Sequence, residues 1–334
     1  MGNQVSCDIG PDFVEIGINL QEKVLDLFDT KQTQPTTSTL FVEYISIPKN
    51  DISNFKTHPI YQKLEKNLIP VSVSGITYDS FFSGLSEIFE CDFERSEKFN
   101  YSILSIDYYW KYFQSGLYEY NLLSVPEDGS ISISKENFVK VPVQTTELYP
   151  YLLVSVKSGV SIYQVCEPNL YKKIGGSCLG LNSIWALLKG SGNESFEELI
   201  QQGESGDSSR VDMTVSDIYG TRYSSLPEKI TASSCGKLKD SVPYEKKDLT
   251  KSLLFMLLFN LGQIAAMHCY DLKITKMVVV GSVFMNEYVS RLMRFTLNYY
   301  SKGELSMIFS ENSRFLRCLG ILLSKSRIVK SNTL

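Results

Sequence analysis

Tyr149-Pro-Tyr-Leu-Leu-Val-Ser-Val156, followed after a short turn by Gly159-Val-Ser-Ile-Tyr-Gln-Val165, decides the fold class of this chain. Both segments are apolar and rich in Val, Ile, Leu and Tyr, and Lys157-Ser-Gly159 sits between them, so each reads as a strand. Downstream, Gly175-Gly176 reads as a second turn and 183–188 as a helix. A third apolar strand, Met277-Val-Val-Val-Gly-Ser282, precedes a helical pattern over 286–300. This alternation is the grammar of an α/β domain with helices flanking a sheet.

The upstream half is also sheet-forming. Phe13-Val-Glu-Ile-Gly-Ile-Asn-Leu20 alternates apolar and polar residues, and Leu40-Phe-Val-Glu-Tyr-Ile-Ser-Ile47 reads the same way. Residues 31–39, rich in Thr, Gln and Pro, read as a loop. A helical stretch at 60–67 precedes the strand-like Ile69-Pro-Val-Ser-Val-Ser-Gly75, and helical spacing dominates 81–113. The polar Pro126-Glu-Asp-Gly-Ser130 closes this half, so a boundary is expected near residue 148, between an N-terminal α/β domain over 1–148 and a C-terminal one over 149–334. A chain of 334 residues suits two cores. No repeat of 20 to 50 residues is visible.

With 43% hydrophobic residues, 21% charged residues and a net charge of -4, the composition is that of a globular protein, and its overall field gives no reason to expect nucleic acid as a partner. The seven cysteines are odd in number and contain no CxxC pair, which argues against a disulfide framework or zinc cluster and for a reducing, cytoplasmic home. Only His58 and His268 are present, which argues against a His-based metal site or a Ser-His-Asp triad. The longest apolar run, 253–266, is interrupted by Asn260, Gly262 and Gln263 and falls short of a membrane span. Met1-Gly-Asn-Gln-Val-Ser6 fits the myristoylation signal, with Cys7 as a second acyl site; alternatively the chain simply begins on its first strand, with Gly2 too close to the folded body. A membrane is expected as a partner only if Gly2 is acylated.

Nine blocks, in order, resemble the eukaryotic-type (type II) pantothenate kinases. They are Tyr149-Pro-Tyr-Leu-Leu-Val154, Ser158-Gly-Val-Ser-Ile162, Ile174-Gly-Gly-Ser177, Gly206-Asp-Ser-Ser-Arg-Val-Asp-Met213, Asp217-Ile-Tyr-Gly220, Ala232-Ser-Ser-Cys-Gly-Lys237, Lys251-Ser-Leu-Leu254, Gly262-Gln-Ile-Ala265 and Tyr300-Ser-Lys-Gly303. In the first half, Asp8-Ile-Gly10 stands where the family has Asp-Ile-Gly-Gly-Thr, and Ser74-Gly75 lies near its Thr-Gly-Gly-Gly turn. The resemblance implies an actin/Hsp70/sugar-kinase-like fold, two α/β domains with a nucleotide cleft between them. It also implies a dimer, for which the apolar helix 253–267 is the natural candidate; an ordinary core helix is the equal alternative.

The chemistry implied is phosphoryl transfer, which needs amide-rich turns around the phosphates, a carboxylate near magnesium and a base on the alcohol. Against the family pattern, Asp8 (the magnesium carboxylate) and Gly10 match, but Pro11, Asp12 and Glu15 replace Gly, Thr and Lys. Pro11 removes an amide donor, and the two acids put negative charge where phosphate oxygens would lie. The second phosphate turn, Gly-Ser-Gly in the family, reads Lys157-Ser158-Gly159. Lys157 either binds an anion, fills the site, or is a lysine on an exposed turn.

The family's Gly-Gly-Gly-Thr reads Gly180-Leu181-Asn182-Ser183, and its His-Glu-Gly-Tyr-Leu-Gly-Ala reads Asn312-Ser-Arg-Phe-Leu-Arg-Cys318. Lys98 falls at the position of the catalytic Glu, while Glu97 serves if the register is shifted by one. On the substrate side, Ser158 aligns with an active-site serine, Lys173 with an arginine and Ala232 with a residue lining the pantetheine channel. The pattern points to a degenerate kinase, a pseudokinase of coenzyme A biosynthesis acting as a binding, scaffold or regulatory subunit. It would be a homodimer, or a heterodimer with an active homologue, with coenzyme A or an acyl-CoA as ligand. The alternative is an active, divergent enzyme converting pantothenate and Mg-ATP to 4'-phosphopantothenate, with Asp8, Ser158 and Lys173 in the site and Glu97 as base. Recruitment into an unrelated protein assembly or to a membrane surface is the third reading.

Overall fold

The computed structural model describes residues 4–9, 13–19, 42–62, 71–75, 93–95, 101–124, 126, 130–131, 133–188, 194–220, 226–240 and 242–325. The loop expected at 31–39, the later part of the helix at 60–67, the stretch 81–92, and Gly2, Gly10, Pro11, Asp12, Glu97 and Lys98 lie outside the described residues. The chain forms two compact units, one of Met1–Tyr108 with Arg314–Leu334, the other of Tyr109–Ser313.

In the first unit lie β1 (Gln4–Ile9), β2 (Phe13–Asn19), β3 (Val42–Pro48), α1 (Pro59–Gln62), β4 (Val71–Gly75), β5 (Phe93–Arg95) and most of α2 (Tyr101–Tyr112). The sheet order is β3-β2-β1-β4-β5, with β1–β2 and β2–β3 antiparallel and β1–β4 and β4–β5 parallel. Alternation drives β2: Val14, Ile16 and Ile18 are all fully buried. Within the stretch 81–113, where helical spacing dominates, α2 fills 101–112, and the described residues also include β5, a strand of three residues that is too short for any periodicity to show.

The second unit holds β6 (Leu117–Leu122), β7 (Phe138–Pro142), β8 (Tyr151–Val156), β9 (Val160–Glu167), β10 (Leu170–Ser177), α3 (Leu181–Leu188), α4 (Phe196–Glu204), β11 (Met213–Thr214), α5 (Val215–Tyr219) and β12 (Thr231–Ser233). It continues with α6 (Lys246–Leu272), β13 (Lys276–Val280), α7 (Glu287–Ser301) and β14 (Ser306–Ser310). Its main sheet runs β10-β9-β8-β13-β14-β6-β7, and β11 pairs with β12 apart from it. β8, β9 and β10 form an antiparallel meander, whereas β8–β13 and β13–β14 are parallel. Five strands of this sheet therefore repeat the order and sense of the first unit's sheet. The fold is α/β and duplicated in topology, of the actin/Hsp70/sugar-kinase type implied by the resemblance.

The boundary expected at 148 is not where the units divide. Residues 117–142 supply β6 and β7 to the same sheet as β8, and the chain returns to the first unit as α8 (Leu316–Lys325). The reason is burial. Leu316, Cys318, Leu319, Ile321, Leu322 and Leu323 are all buried, α8 packs on β1 and β2, and Ser6 Oγ donates to the Cys318 carbonyl at 2.9 Å. At about 1.5–3 kcal/mol per buried apolar side chain, that packing outweighs any local boundary signal.

Helix α6 is the one helix among the described residues long and apolar enough to cross a membrane, yet 61% of its apolar window is buried. Leu253, Leu254, Leu257, Leu258, Leu261, Ala265 and Ala266 all enter the second unit's core, so it is a core helix. The turn expected at Gly175-Gly176 is a second correction. Both glycines lie inside β10, after a register shift between Lys173 and Gly175, and a side chain at Gly175 would meet His268 Nε2 at 2.7 Å.

Candidate functional site: the hairpin turn at 157–159

The C-terminal ends of parallel strands are where an open α/β sheet holds its ligands. In the second unit, β8 ends at Val156 and turns through Lys157-Ser158-Gly159 into β9. Within the turn, Lys157 N–H donates to the Gly159 carbonyl at 2.8 Å. The Lys157 carbonyl in turn accepts from Leu181 N–H at 2.9 Å, fastening the first residue of α3 onto the hairpin.

Gly180 makes this contact feasible. A methyl there would lie 2.4 Å from the Ser158 carbonyl oxygen and 2.5 Å from Gly159 Cα, so only glycine lets the two backbones approach so closely. The N–H groups of Ser158 and Gly159 take no acceptor among the described residues. Two backbone amides without an acceptor among the described residues, side by side in one hairpin turn, are elements from which an anion cradle is made.

The next strand end is differently arranged. Gly281, just past β13, donates its N–H to Ser313 Oγ at 2.9 Å, and Ser313 is buried. The 310–313 turn is closed by its own bonds: Ser313 N–H reaches the Ser310 carbonyl at 3.2 Å, and Asn312 Nδ2 reaches the Tyr109 hydroxyl at 2.8 Å. Ser313 stands where the family pattern has Glu, and its hydroxyl is the acceptor of the Gly281 amide.

Of the residues expected in the site, Ser158, Gly159 and Gly180 are brought together, and Lys157 joins them. Lys173 is exposed on the edge strand β10, opposite Tyr163, four residues from the Ser177–Val160 pair beside the turn. At about 3.3 Å per residue, that is roughly 13 Å along the strand. Ala232 is exposed on β12, in a different sheet. Asp8 lies within β1, its backbone opposite Glu15, rather than in a turn. Glu97, Lys98 and Gly10 lie outside the described residues.

Among the described residues no three His, Cys, Asp or Glu side chains gather as metal ligands. Burial pushes the Cys269 thiol up to about 12, which leaves it protonated and unreactive at neutral pH.

One feature escaped the sequence reading: a cavity of about 530 Å³ walled by Phe255, Met256 and Phe259 of α6, Phe295 and Tyr299 of α7, and Thr231 of β12. Its signal was present as aromatic pairs four residues apart, 255/259 and 295/299, on two helices.

The chain matches the Fumble family model over residues 21–324. It is 34% identical over 194 residues to pantothenate kinase 2 of Arabidopsis thaliana, covering 55% of this chain and 21% of the relative. To the pantothenate kinase of Schizosaccharomyces pombe it is 32% identical over 195 residues, covering 55% of this chain and 48% of that one. The aligned part thus spans about a fifth of the plant relative and half of the fungal one. Among solved structures, component A of Acidaminococcus fermentans (R)-2-hydroxyglutaryl-CoA dehydratase aligns at TM-score 0.47 with 10% identity, covering 97% of each chain. Glucokinase from Balamuthia mandrillaris aligns at 0.44 with 14% identity, covering 96% of this chain and 93% of that one. Both scores fall below 0.5 and add nothing to the assignment. Nine ordered motifs and a family match over most of its length place this chain in the Fumble family, that of the eukaryotic-type pantothenate kinases.

Proposed function

We propose that the chain is a pantothenate kinase-family protein that has lost phosphoryl transfer and acts as a binding, scaffold or regulatory subunit in coenzyme A biosynthesis. The observation that carries this reading is the bond from Gly281 N–H to Ser313 Oγ, an internal partner in place of a ligand at a strand end of the site. The sequence changes point the same way, since Pro11, Asp12, Glu15 and Lys98 remove a donor, two neutral or cationic positions and the base.

Mg-ATP is the substrate and metal that the family implies, and magnesium would supply charge neutralisation between the phosphates. The Ser158 and Gly159 amides fit a phosphate, and Asp8 is the residue that the family pattern assigns to the metal. The reading therefore keeps phosphate binding and gives up turnover. Coenzyme A or an acyl-CoA is the ligand it favours, because Thr231, next to Ala232, lines the 530 Å³ cavity. Pairing with a second copy or an active homologue would use the exposed Met267 and Tyr270 of α6. Six described cysteines are free thiols, in keeping with a cytoplasmic setting.

The test is to mix purified protein with ATP, magnesium and labelled pantothenate beside an Asp8→Asn control. No 4'-phosphopantothenate above the control is expected. Turnover that disappears in the control overturns the reading.

A further inference from the structure

A buried carboxylate outside the hairpin site performs a task that the proposed function does not use. Asp212 is 1% exposed, yet its Oδ2 has no hydrogen-bond partner among the described residues. Its Oδ1 accepts twice: from Cys235 N–H at 2.8 Å and from Ser252 Oγ at 2.5 Å. Ser252 is a buried residue of α6, and Cys235 lies two residues past β12 with φ at +56°, a backbone conformation that costs a non-glycine residue about 1 kcal/mol or more.

A strained backbone persists only where its surroundings hold it. Here one carboxylate oxygen ties the strained Cys235 amide to the core helix. Cys235 Sγ lies 3.5 Å from Ser252 Oγ, so the thiol is turned toward the same helix. The neighbouring Lys237 N–H reaches the Val211 carbonyl at 2.9 Å, and Lys237 Nζ bonds the Asp217 carboxylate at 2.7 Å. The segment fixed in this way carries Thr231 and Ser234, two residues of the cavity wall.

We propose that Asp212 is a positioning residue, a latch that fastens the β12 segment to α6 and thereby sets the wall of the cavity formed by Thr231 and Ser234. The latch concerns the wall itself, whatever occupies the cavity, so it stands or falls independently of the pseudokinase reading.

The test compares the full chain with Asp212→Ala, Asp212→Asn and Ser252→Ala. Alkylation of Cys235 by iodoacetamide is followed by peptide mass spectrometry, with exposed Cys178 as the reference and fully buried Cys269 of α6 as the reporter of general unfolding. Backbone hydrogen exchange over 231–237 is measured in parallel. Loss of two hydrogen bonds to a charged acceptor should speed Cys235 labelling and local exchange by about tenfold or more in Asp212→Ala. Asn retains an acceptor oxygen at Oδ1 and should stay within about threefold of the parent; Ser252→Ala, which removes one donor, should fall between.

Asp212→Ala at the parent rate, Asn as fast as Ala, or Cys269 accelerating in step with Cys235 would each overturn the latch. If Asp212→Ala does not fold, the Asn and Ser252→Ala pair decides. Parent-like Asn with faster Ser252→Ala supports the latch, and any other order overturns it.

Discussion

Replacing Gly180 by alanine puts the geometry of the hairpin site under direct load. The added methyl would sit 2.4 Å from the Ser158 carbonyl oxygen, 2.5 Å from Gly159 Cα and 2.7 Å from the Ser158 carbonyl carbon. Ordinary contact begins at 3.4 Å, so the turn must retreat by about 1 Å, and all three obstructing atoms are backbone with no rotamer to yield. Overpacking of this kind costs about 1–3 kcal/mol. The retreat also strains the bond from Leu181 N–H to the Lys157 carbonyl, now 2.9 Å long. Urea unfolding should therefore show a loss of about 1–3 kcal/mol, and the Leu181 amide should exchange about tenfold faster, since 1.4 kcal/mol is one decade. Leu187→Ala, at a side chain 61% exposed on the same helix, is the control and should stay within about 0.5 kcal/mol of the parent. A Gly180→Ala protein as stable as that control, with Leu181 exchange unchanged, refutes the close docking of α3 on the turn.

Arg291 of α7 is 2% exposed and bonds Glu204 at 2.9 Å, Glu287 at 3.4 Å and the Ile133 carbonyl at 3.1 Å; because both carboxylates stay solvated when it is removed, Arg291→Ala should cost about 1–3 kcal/mol in urea unfolding, and no measurable loss contradicts the network. Burial alone would raise the Asp217 carboxyl, but Lys237 at 2.7 Å and the N–H and hydroxyl of Thr214 outweigh it and hold the group below the usual carboxylate range. Its folded value is depressed, so its stabilisation is full above about pH 4 and is lost as pH falls through the lower, folded value. Asp217→Asn should flatten the acid limb of a urea midpoint against pH curve, and an unchanged limb counts against the pairing. Cys7 is fully buried on β1, so labelled palmitate should not reach it in the folded protein, and incorporation at Cys7 contradicts that burial.

Local pattern carried most of the strands. The alternation of 13–20 became β2, the apolar run at 149–156 became β8, and 277–282 became β13, because side-chain period and burial are properties of neighbouring residues. The division into units was hidden for the opposite reason: α8 meets β1 about 310 residues away in sequence, and no local signal reports that contact. The topological duplication was hidden too, since it is a repeat of strand order without a repeat of residues. At the site, motif spacing found Ser158, Gly159 and Gly180, which one tight turn brings together. It also grouped Lys173 and Ala232 with them, although these stand on a strand edge and a separate sheet. Ser313 was noted only as a lost Glu. That it caps Gly281 depends on two loops meeting, which spacing cannot express.

The most direct measurement is a crystal structure of the chain grown with a non-hydrolysable ATP analogue, magnesium and pantothenate. The account predicts that any bound phosphate contacts the Ser158 and Gly159 amides, that Gly281 N–H remains on Ser313, and that no metal-bridged γ-phosphate faces the pantothenate hydroxyl. An ordered magnesium with the γ-phosphate in line with that hydroxyl would contradict it.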